Sequence, residues 1–496
     1  KSVQQFTKIP EGDSLYDLAQ YQLALTYYLQ ELYDKAAVTL ERIIVNPSKS
    51  VNISSVYNLL SYVYMANNQF DKAIGIIEEA LILAPYNTRL LSALGKAYTE
   101  THQYEKAEVA LKKAIFSAPK FQYAHNLLAA LYLKEGKTIP AILAYNYSAA
   151  INPKTDDAIT ALKALNELFV GFSDVVENES ETAYITPKLL EEDLRFQKLE
   201  QLVNSGIALT KKLKMKTKIN HILTKNNQLV FDNLPDPINS KDILDYLYIP
   251  YFKSMMQMDY NLFCYYLLSG TDIDNNKVEQ KAKKMEKKLE IIVDHFKTFL
   301  EEKSINGIGF EKTGTDSVTI AYNSDEGYLE GIGGYFTKDR LGRVKYQGSW
   351  IIINENGSLN AKVNLMNGKK NGVNYFYNDG FLEQIVPYLN DSIDGTGYLY
   401  YPSLKDENRT LNLVVDFKNN KIDGIRKEYN SNGILIEENQ YKEGKLNGIT
   451  KIFYPQGMIK GIYTNENGTE VGTSKEFFPN GQLSTEYENS APDMEG

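Results

Sequence analysis

Leu91-Ser92-Ala93-Leu94-Gly95-Lys96-Ala97-Tyr98 decides the fold of the first third of this chain, because its pattern recurs on both sides. Upstream stands Tyr57-Asn-Leu-Leu-Ser61-Tyr-Val-Tyr64, and downstream His125-Asn-Leu-Leu-Ala129-Ala-Leu-Tyr132. The small residues Ala24, Ser61, Gly95 and Ala129 step by 37, 34 and 34, and so do Tyr27, Tyr64, Tyr98 and Tyr132. A further series, Ala36, Ala73, Ala107 and Ala141, keeps these steps, and Pro85, Pro119 and Pro153 follow 34 apart. A small residue lets two helices approach closely, Leu and Tyr fill the space beside it, and proline ends the second helix. The spacing predicts four antiparallel helix pairs over residues 15–153 and a solvating helix from Asp156 to Phe169. Three extra residues in Pro47–Asn52 lengthen one turn without breaking the array.

This spacing resembles the tetratricopeptide repeat family, whose superhelices bind peptides and proteins on a concave face lined by the first helix of each pair. The resemblance puts Tyr21, Leu25 and Tyr28 on that face, then Asn58, Tyr62 and Met65, then Ser92, Lys96 and Thr99, then Asn126, Ala130 and Leu133. Of these, Tyr21, Tyr28, Asn58, Tyr62, Met65, Lys96 and Asn126 are the expected partner-binding residues. The Lys/Asn/Arg cluster with which some members clamp a terminal carboxylate is echoed only in part, by Asn58, Arg89, Lys96 and Asn126, and is not inferred. The competing reading for each tyrosine is simple packing on a neighbouring helix.

Beyond Pro153 the period stops. Residues 171–186 are polar and read as a linker, and Thr186-Pro187 opens a helix with Glu191, Glu192 and Asp193 in its first turns. Five lysines between Lys211 and Lys218 read as one solvated helix face. Pro250 is expected to kink a helix near Tyr248. Val278, Ala282, Met285, Leu289, Ile292, Phe296 and Phe299 form a heptad seam along one helix from Asn275 to Lys303, which packs on the apolar Leu262–Leu268 segment. His295 beside that seam reads as structural.

Composition changes near residue 305, beyond which lie all eight Asn-Gly pairs of the chain, at Asn306, Asn356, Asn367, Asn371, Asn432, Asn447, Asn467 and Asn480. Asn-Gly supplies the positive φ of tight hairpin turns, so an antiparallel β-hairpin array begins there. Gly424…Tyr429…Gly433, Gly448…Phe453…Gly457 and Gly472…Phe477…Gly481 repeat every 24 residues, the length of two short strands and two turns. This pattern is similar to the MORN repeat, most of all to the bacterial variant of antitoxin-like proteins, over about residues 328–496. The resemblance implies a modular sheet for protein contacts. The expected fold is thus α+β multidomain: residues 1–170 a tetratricopeptide superhelix, 171–304 a helical spacer and 305–496 the β array. One further step of 24 from Gly472 reaches Gly496, so another repeat is expected past it.

The 496 residues carry a formal charge of −9, distributed as +1, −3 and −7 over residues 1–153, 154–304 and 305–496, which excludes a basic nucleic-acid surface. The longest apolar stretch, Tyr260–Leu268, is far short of the roughly 20 residues that span a membrane. Attachment at the membrane periphery, directly or through a lipid anchor, stays compatible with the sequence. One cysteine, Cys264, and four histidines leave no set of metal ligands, and no phosphate loop, nucleophile elbow or His-Glu-x-x-His motif occurs. Gly331-Ile-Gly333-Gly334 lacks the following helix of a dinucleotide loop. Neither cofactor nor catalytic residue is expected. The chain reads as a non-enzymatic scaffold, a subunit of a bacterial envelope or secretion complex in the periplasm or cell envelope. The alternative is a toxin-neutralising, immunity-like binding protein.

Overall fold

The computed structural model describes residues 6–45, 51–177, 195–205, 214–238, 242–270, 276–305, 319–322, 328–338, 343–401 and 409–489. The helix start at Thr186-Pro187, the Asn306-Gly307 pair and the segment around Gly496 lie outside them. Two compact units emerge, Lys1–Glu330 with Glu355–Gly357, and Gly331–Asn354 with Ser358–Gly496.

In the first unit, helix pairs α1 (Tyr16–Leu29) and α2 (Tyr33–Val45), α3 (Ile53–Ala66) and α4 (Phe70–Leu83), α5 (Thr88–Glu100) and α6 (Tyr104–Ser117), and α7 (Gln122–Lys134) and α8 (Thr138–Ile151) follow one another. The small-residue columns sit where the helices touch: Ala24, Ser61, Ala129 and Ala36, Ala73, Ala107, Ala141 are fully buried. A Cβ on Gly95 would lie 2.5 Å from Leu111 Cγ, so that position has no room for a larger residue. The turn inside each pair repeats too. Glu31, Asn68, His102 and Gly136 all have positive φ, and the next amide donates to the carbonyl of Tyr27, Tyr64, Tyr98 or Tyr132 at 2.7–2.9 Å. Asn52 and Asn87 cap α3 and α5 by accepting from Ser55 N and Leu90 N. Successive first helices contact one another more closely than successive second helices do, so the array curves toward its first helices.

The capping helix α9 (Asp156–Glu177) runs eight residues beyond the expected Phe169. The middle of the chain forms α10 (Gln197–Asn204), α11 (Ile222–Asp232), α12 (Ile249–Gln257), α13 (Tyr260–Leu267), α14 (Asn276–Lys284) and α15 (Glu286–Ile305). These helices share a core with the array. Asn146 of α8 and Asn227 of α11 exchange two buried amide hydrogen bonds, of 2.9 and 2.6 Å, and Tyr147 packs its ring on Tyr248, Tyr251 and Phe296. Three sequence expectations are corrected. Lys214–His221 is not helical, because Gln228 takes up that backbone, accepting from Lys216 N and donating to Lys214 O. Pro250 stands in the first turn of α12, after a π-helical turn over Leu244–Tyr248, and not inside one continuous α-helix. The heptad helix is two helices parted at Met285, with α15 packed on α13. A short strand, β1 (Thr319–Tyr322), lies against α15.

The second unit is an antiparallel meander. Its strands are β2 (Leu329–Lys338), β3 (Val344–Ile353), β4 (Leu359–Met366), β5 (Gly372–Asn378), β6 (Phe381–Leu389), β7 (Gly395–Tyr400) and β8 (Leu411–Lys418). There follow β9 (Lys421–Tyr429), β10 (Leu435–Lys442), β11 (Gly448–Phe453), β12 (Ile459–Glu466), β13 (Thr469–Phe477) and β14 (Leu483–Asn489). Each pairs with the next along the chain. Gly331–Gly334 lies within β2, not at a helix start. The repeat glycines Gly424, Gly448, Gly472, Gly433, Gly457 and Gly481 all take positive φ. Tyr429, Phe453 and Phe477 mark the points where the strand register slips, so the expected aromatic site is a recurring β-bulge. Hairpins are also tied across repeats: Gly444 N donates to Ile422 O and Gly468 N to Leu446 O at 2.8 Å, and the Tyr454 hydroxyl donates to Phe477 O at 2.8 Å. Trp350, Ala361 and Val363 form a buried cluster with Ile352, Leu365 and Phe376 around them. Farther along, Lys427 and Lys451 flank Glu438 at 3.3 and 3.1 Å, a charged rung in place of apolar packing.

Candidate functional site: a tyrosine-lined groove

Two classes of tyrosine separate in the helical array. The first is structural. Tyr57 and Tyr98 donate to Glu79 (3.1 Å) and Glu78 (2.6 Å), Tyr64 to Glu41, and Tyr132 to Glu108 (3.4 Å). Lys72, Lys106 and Lys137 lie over the rings of Tyr64, Tyr98 and Tyr132 at 5.4–5.6 Å. Burial and the neighbouring glutamate push the Tyr98 hydroxyl up to about 12. Tyr64, Tyr98 and Tyr132 tie one helix pair to the one before it, and Tyr57 ties the two helices of its own pair.

The second class also lies on the first helices of the pairs. Tyr21 and Tyr28 of α1, Tyr62 of α3 and Tyr123 of α7 are half-buried, and no hydrogen bond reaches their hydroxyls among the described residues. Burial raises the pKa of Tyr21, of Tyr62 to about 12, and of Tyr123, so each stays a protonated O–H donor at neutral pH. Tyr62 lies within electrostatic reach of Tyr123, Arg89 and Tyr28, Tyr21 within reach of Arg89, and Tyr123 within reach of Asp157 and Tyr28. The curvature thus gathers side chains from the first, second, third and fourth pairs.

The other expected face residues are distributed unevenly. Leu25, Asn58, Lys96, Ala130 and Leu133 are half-buried, whereas Met65, Ser92, Thr99 and Asn126 are buried. Asn58 Oδ1, Ser92 Oγ and Asn126 Oδ1 are buried without a hydrogen-bond partner. They occupy one column, 34 residues apart, whereas the great majority of buried polar atoms in proteins are paired. The Nδ2 of Asn126 is used, donating to Asp157 O at 2.9 Å. Sequence reasoning missed Tyr123 and Asp157. Ser55, Arg89 and Tyr123 also step by 34, a column that was readable one turn ahead of Asn58.

Other chemistry-bearing groups are committed elsewhere. Ser254 lies 2.8 Å from His295 Nε2, but its hydroxyl donates to Tyr251 O at 2.7 Å, which leaves His295 to donate and no activated nucleophile. Burial pushes the Cys264 thiol up to about 12. Among the described residues no group of three or more His, Cys, Asp or Glu is placed to hold a metal ion.

Residues 64–131 match the model of the tetratricopeptide repeat family. No curated protein matches the chain. Among solved structures, MamA is 19% identical, covering 30% of this chain and 85% of its own, with a TM-score of 0.27. A thermophilic tetratricopeptide repeat protein of Thermus thermophilus is 22% identical over 33% of this chain and 88% of its own, with a TM-score of 0.29. A tetratricopeptide repeat protein from Parabacteroides merdae is 14% identical over 57% of this chain and 98% of its own, with a TM-score of 0.27. The N-terminal repeats are tetratricopeptide repeats, a fold that serves as a scaffold for protein–protein interaction, in a chain of α+β multidomain class.

Proposed function

We propose that this chain is a non-enzymatic adaptor, without a cofactor, that holds an extended segment of a partner protein in its tetratricopeptide groove. The observation that carries this reading is the contrast between tyrosines. Tyr57, Tyr64, Tyr98 and Tyr132 are hydrogen-bonded to glutamates, while Tyr21, Tyr28, Tyr62 and Tyr123 present hydroxyls to the groove that no hydrogen bond reaches among the described residues. Half-buried aromatic rings with free polar tips are characteristic of binding surfaces. The 24-residue β repeats, MORN-like in spacing, supply a second, regular surface, and two repeat arrays in one chain favour multivalent assembly. On this reading the protein is a subunit of a bacterial envelope or secretion complex, in the periplasm or at the envelope.

The test is affinity purification of the full chain from the native source, from membrane and soluble fractions separately. Co-purification of a multi-subunit complex, lost with Tyr28→Ala and Tyr62→Ala at unchanged melting temperature, is the expected result. Stoichiometric recovery of one small toxic partner would favour the immunity-like alternative and overturn the scaffold reading.

A further inference from the structure

Lys362 of β4 stands opposite Tyr375 of β5, Tyr375 opposite Ile385 of β6, and Ile385 opposite Tyr398 of β7. Tyr398 then stands opposite Val414 of β8, and Val414 opposite Lys427 of β9, so six side chains form one straight row across the strands. Side chains alternate between the faces of a strand, so Val373 and Ile425 share the face of this row while Asn374, Val415 and Asn439 point to the other. Val373, Tyr398 and Ile425 are 44%, 37% and 41% exposed, whereas Asn374, Val415 and Asn439 are 0%, 5% and 2% exposed. The row therefore lies on the open face of the sheet, and between its two lysines it is uncharged.

The two lysines differ. Lys427 pairs with Glu438 at 3.3 Å. Lys362 is exposed, its ammonium lies 5.8 Å from the centre of the Tyr377 ring, and no ion pair reaches it among the described residues. The hydroxyls of Tyr375 and Tyr398 likewise have no hydrogen bond among the described residues.

Repeat length and hydrogen-bonding capacity decide what fits this row. Tyr375 and Tyr398 are two strands apart, about 9.6 Å. β5, β6 and β7 are each paired on both sides, so a partner lies across them and is not added as a strand. An α-helix bonds its carbonyls internally and would leave both hydroxyls without acceptors. A polyproline II chain makes no internal hydrogen bonds and repeats its face every three residues, about 9.3 Å. Where prolines fill it, it offers carbonyl acceptors and no amide donors, the complement of two donating phenols.

We propose that this row binds a proline-rich segment of a partner protein in the polyproline II conformation, with prolines three apart on Tyr375 and Tyr398 and an acidic residue on Lys362. The inference rests on the β array being a second protein-binding surface and is independent of the tyrosine groove. Lys362 is one strand, about 4.8 Å, from Tyr375, which places the acidic residue one or two positions outside that proline. Because Lys427 is already paired, only one end of the row attracts an acid, and that fixes the direction of the bound chain.

The test probes arrays of acetylated, C-terminally amidated 12-residue peptides with the full chain. One set carries prolines at positions 5 and 8 and a second carries alanines there, each with Glu or Gln at position 3 or position 10. Retention roughly tenfold higher on the proline set, lost with Tyr398→Ala at unchanged melting temperature, is the expected result. Glu should raise retention at one of the two positions only, and Lys362→Gln should erase that advantage. Ile449→Ala, at a site 41% exposed on the same face in a later repeat, should change nothing. Equal retention on the two sets, absence from both included, or an equal loss with Ile449→Ala overturns the proline row. A Glu advantage that survives Lys362→Gln overturns the acid contact. Loss of retention in the double variant Tyr28→Ala, Tyr62→Ala puts the peptides in the groove and overturns the assignment to the sheet. A dimer that Tyr398→Ala dissociates gives the face to a second copy and overturns it as well. If the peptides fail while Tyr398→Ala still releases a complex purified from the native source, the proline occupant falls and the β surface reading stands.

Discussion

His125 Nδ1 lies 2.7 Å from the Tyr248 hydroxyl, and its Nε2 lies 2.9 Å from the Pro119 carbonyl. The carbonyl can only accept, so Nε2 carries the proton and Nδ1 accepts from Tyr248, joining α7 to the π-helical turn through a neutral, fully buried imidazole. Burial depresses its pKa from 6.5 to about 3.

A group whose folded pKa lies below its unfolded value takes up its proton on unfolding. His125 therefore contributes stability above pH 6.5 that is lost as pH falls from 6.5 toward 3. The slope is at most about 1.4 kcal/mol per pH unit for one proton. Urea midpoints measured between pH 7 and 4 should fall for the wild type and fall less steeply for His125→Phe. Tyr248→Phe strands Nδ1 without a donor and should cost about 1–3 kcal/mol at pH 7.

The two tyrosine classes should respond oppositely to loss of the hydroxyl. Tyr98→Phe removes the 2.6 Å bond to Glu78 and should lower stability by about 0.5–1.5 kcal/mol with partner binding unchanged. Tyr62→Phe removes a hydroxyl that no described protein group uses, so it should leave the melting temperature in place and weaken partner capture. A common response of both variants in either assay would refute the division.

Much of this was legible because repetition turns packing into spacing. Ala24, Ser61, Gly95 and Ala129 are small for one reason, visible in the 2.5 Å that would separate a Cβ on Gly95 from Leu111, and a constraint imposed four times leaves a column in the sequence. The left-handed turn at Glu31, Asn68, His102 and Gly136 was illegible, since four unrelated residues fill one backbone conformation whose strength comes from the amide bond closing behind it. Middle-chain contacts such as Asn146 with Asn227 join residues 81 apart once only, and a single long-range pairing leaves no period to read. On the first helices, the single column through Tyr21, Asn58, Ser92 and Asn126 was readable. That Met65 and Ser92 are buried on that face was not, because it depends on side chains arriving from other pairs.

Gly448 has φ +116°, and a Cβ there would meet Gln440 Oε1 at 2.1 Å and Gln440 Cβ at 3.0 Å. Gln440 is itself engaged, accepting from Ile449 N at 2.9 Å. Gly448→Val should therefore destabilise the β array by about 1–3 kcal/mol. Gly472, its counterpart one repeat on, has φ +67° and open space around it. Asn visits that left-handed region, so Gly472→Asn should cost well under about 1 kcal/mol. Thermal melts of the two variants, followed by far-ultraviolet circular dichroism at the β signal, separate them.

Glu108 pairs with both Lys112 and Lys137. Burial opposes its ionisation, but the two ammonium groups hold its carboxyl below the usual range. Stability that depends on this ionised group is present at neutral pH and is lost as pH falls through its depressed pKa. Lys112 also pairs with Asp242 of the middle segment. Lys112→Met should lower stability by about 1–3 kcal/mol and, in hydrogen exchange, speed the amides of α12 more than those of α3. Uniform acceleration across the unit would contradict a local role for the pair.

The ties from Gly444 to Ile422 and from Gly468 to Leu446 fix each hairpin against its predecessor at a constant offset of 22 residues. Two strands per 24 residues, at about 4.8 Å between strands, advance the sheet by roughly 10 Å per repeat. The array is in that sense a ruler with a fixed graduation. Excising 448–471 in frame should shorten its reach by one graduation while every remaining hairpin keeps its own partners.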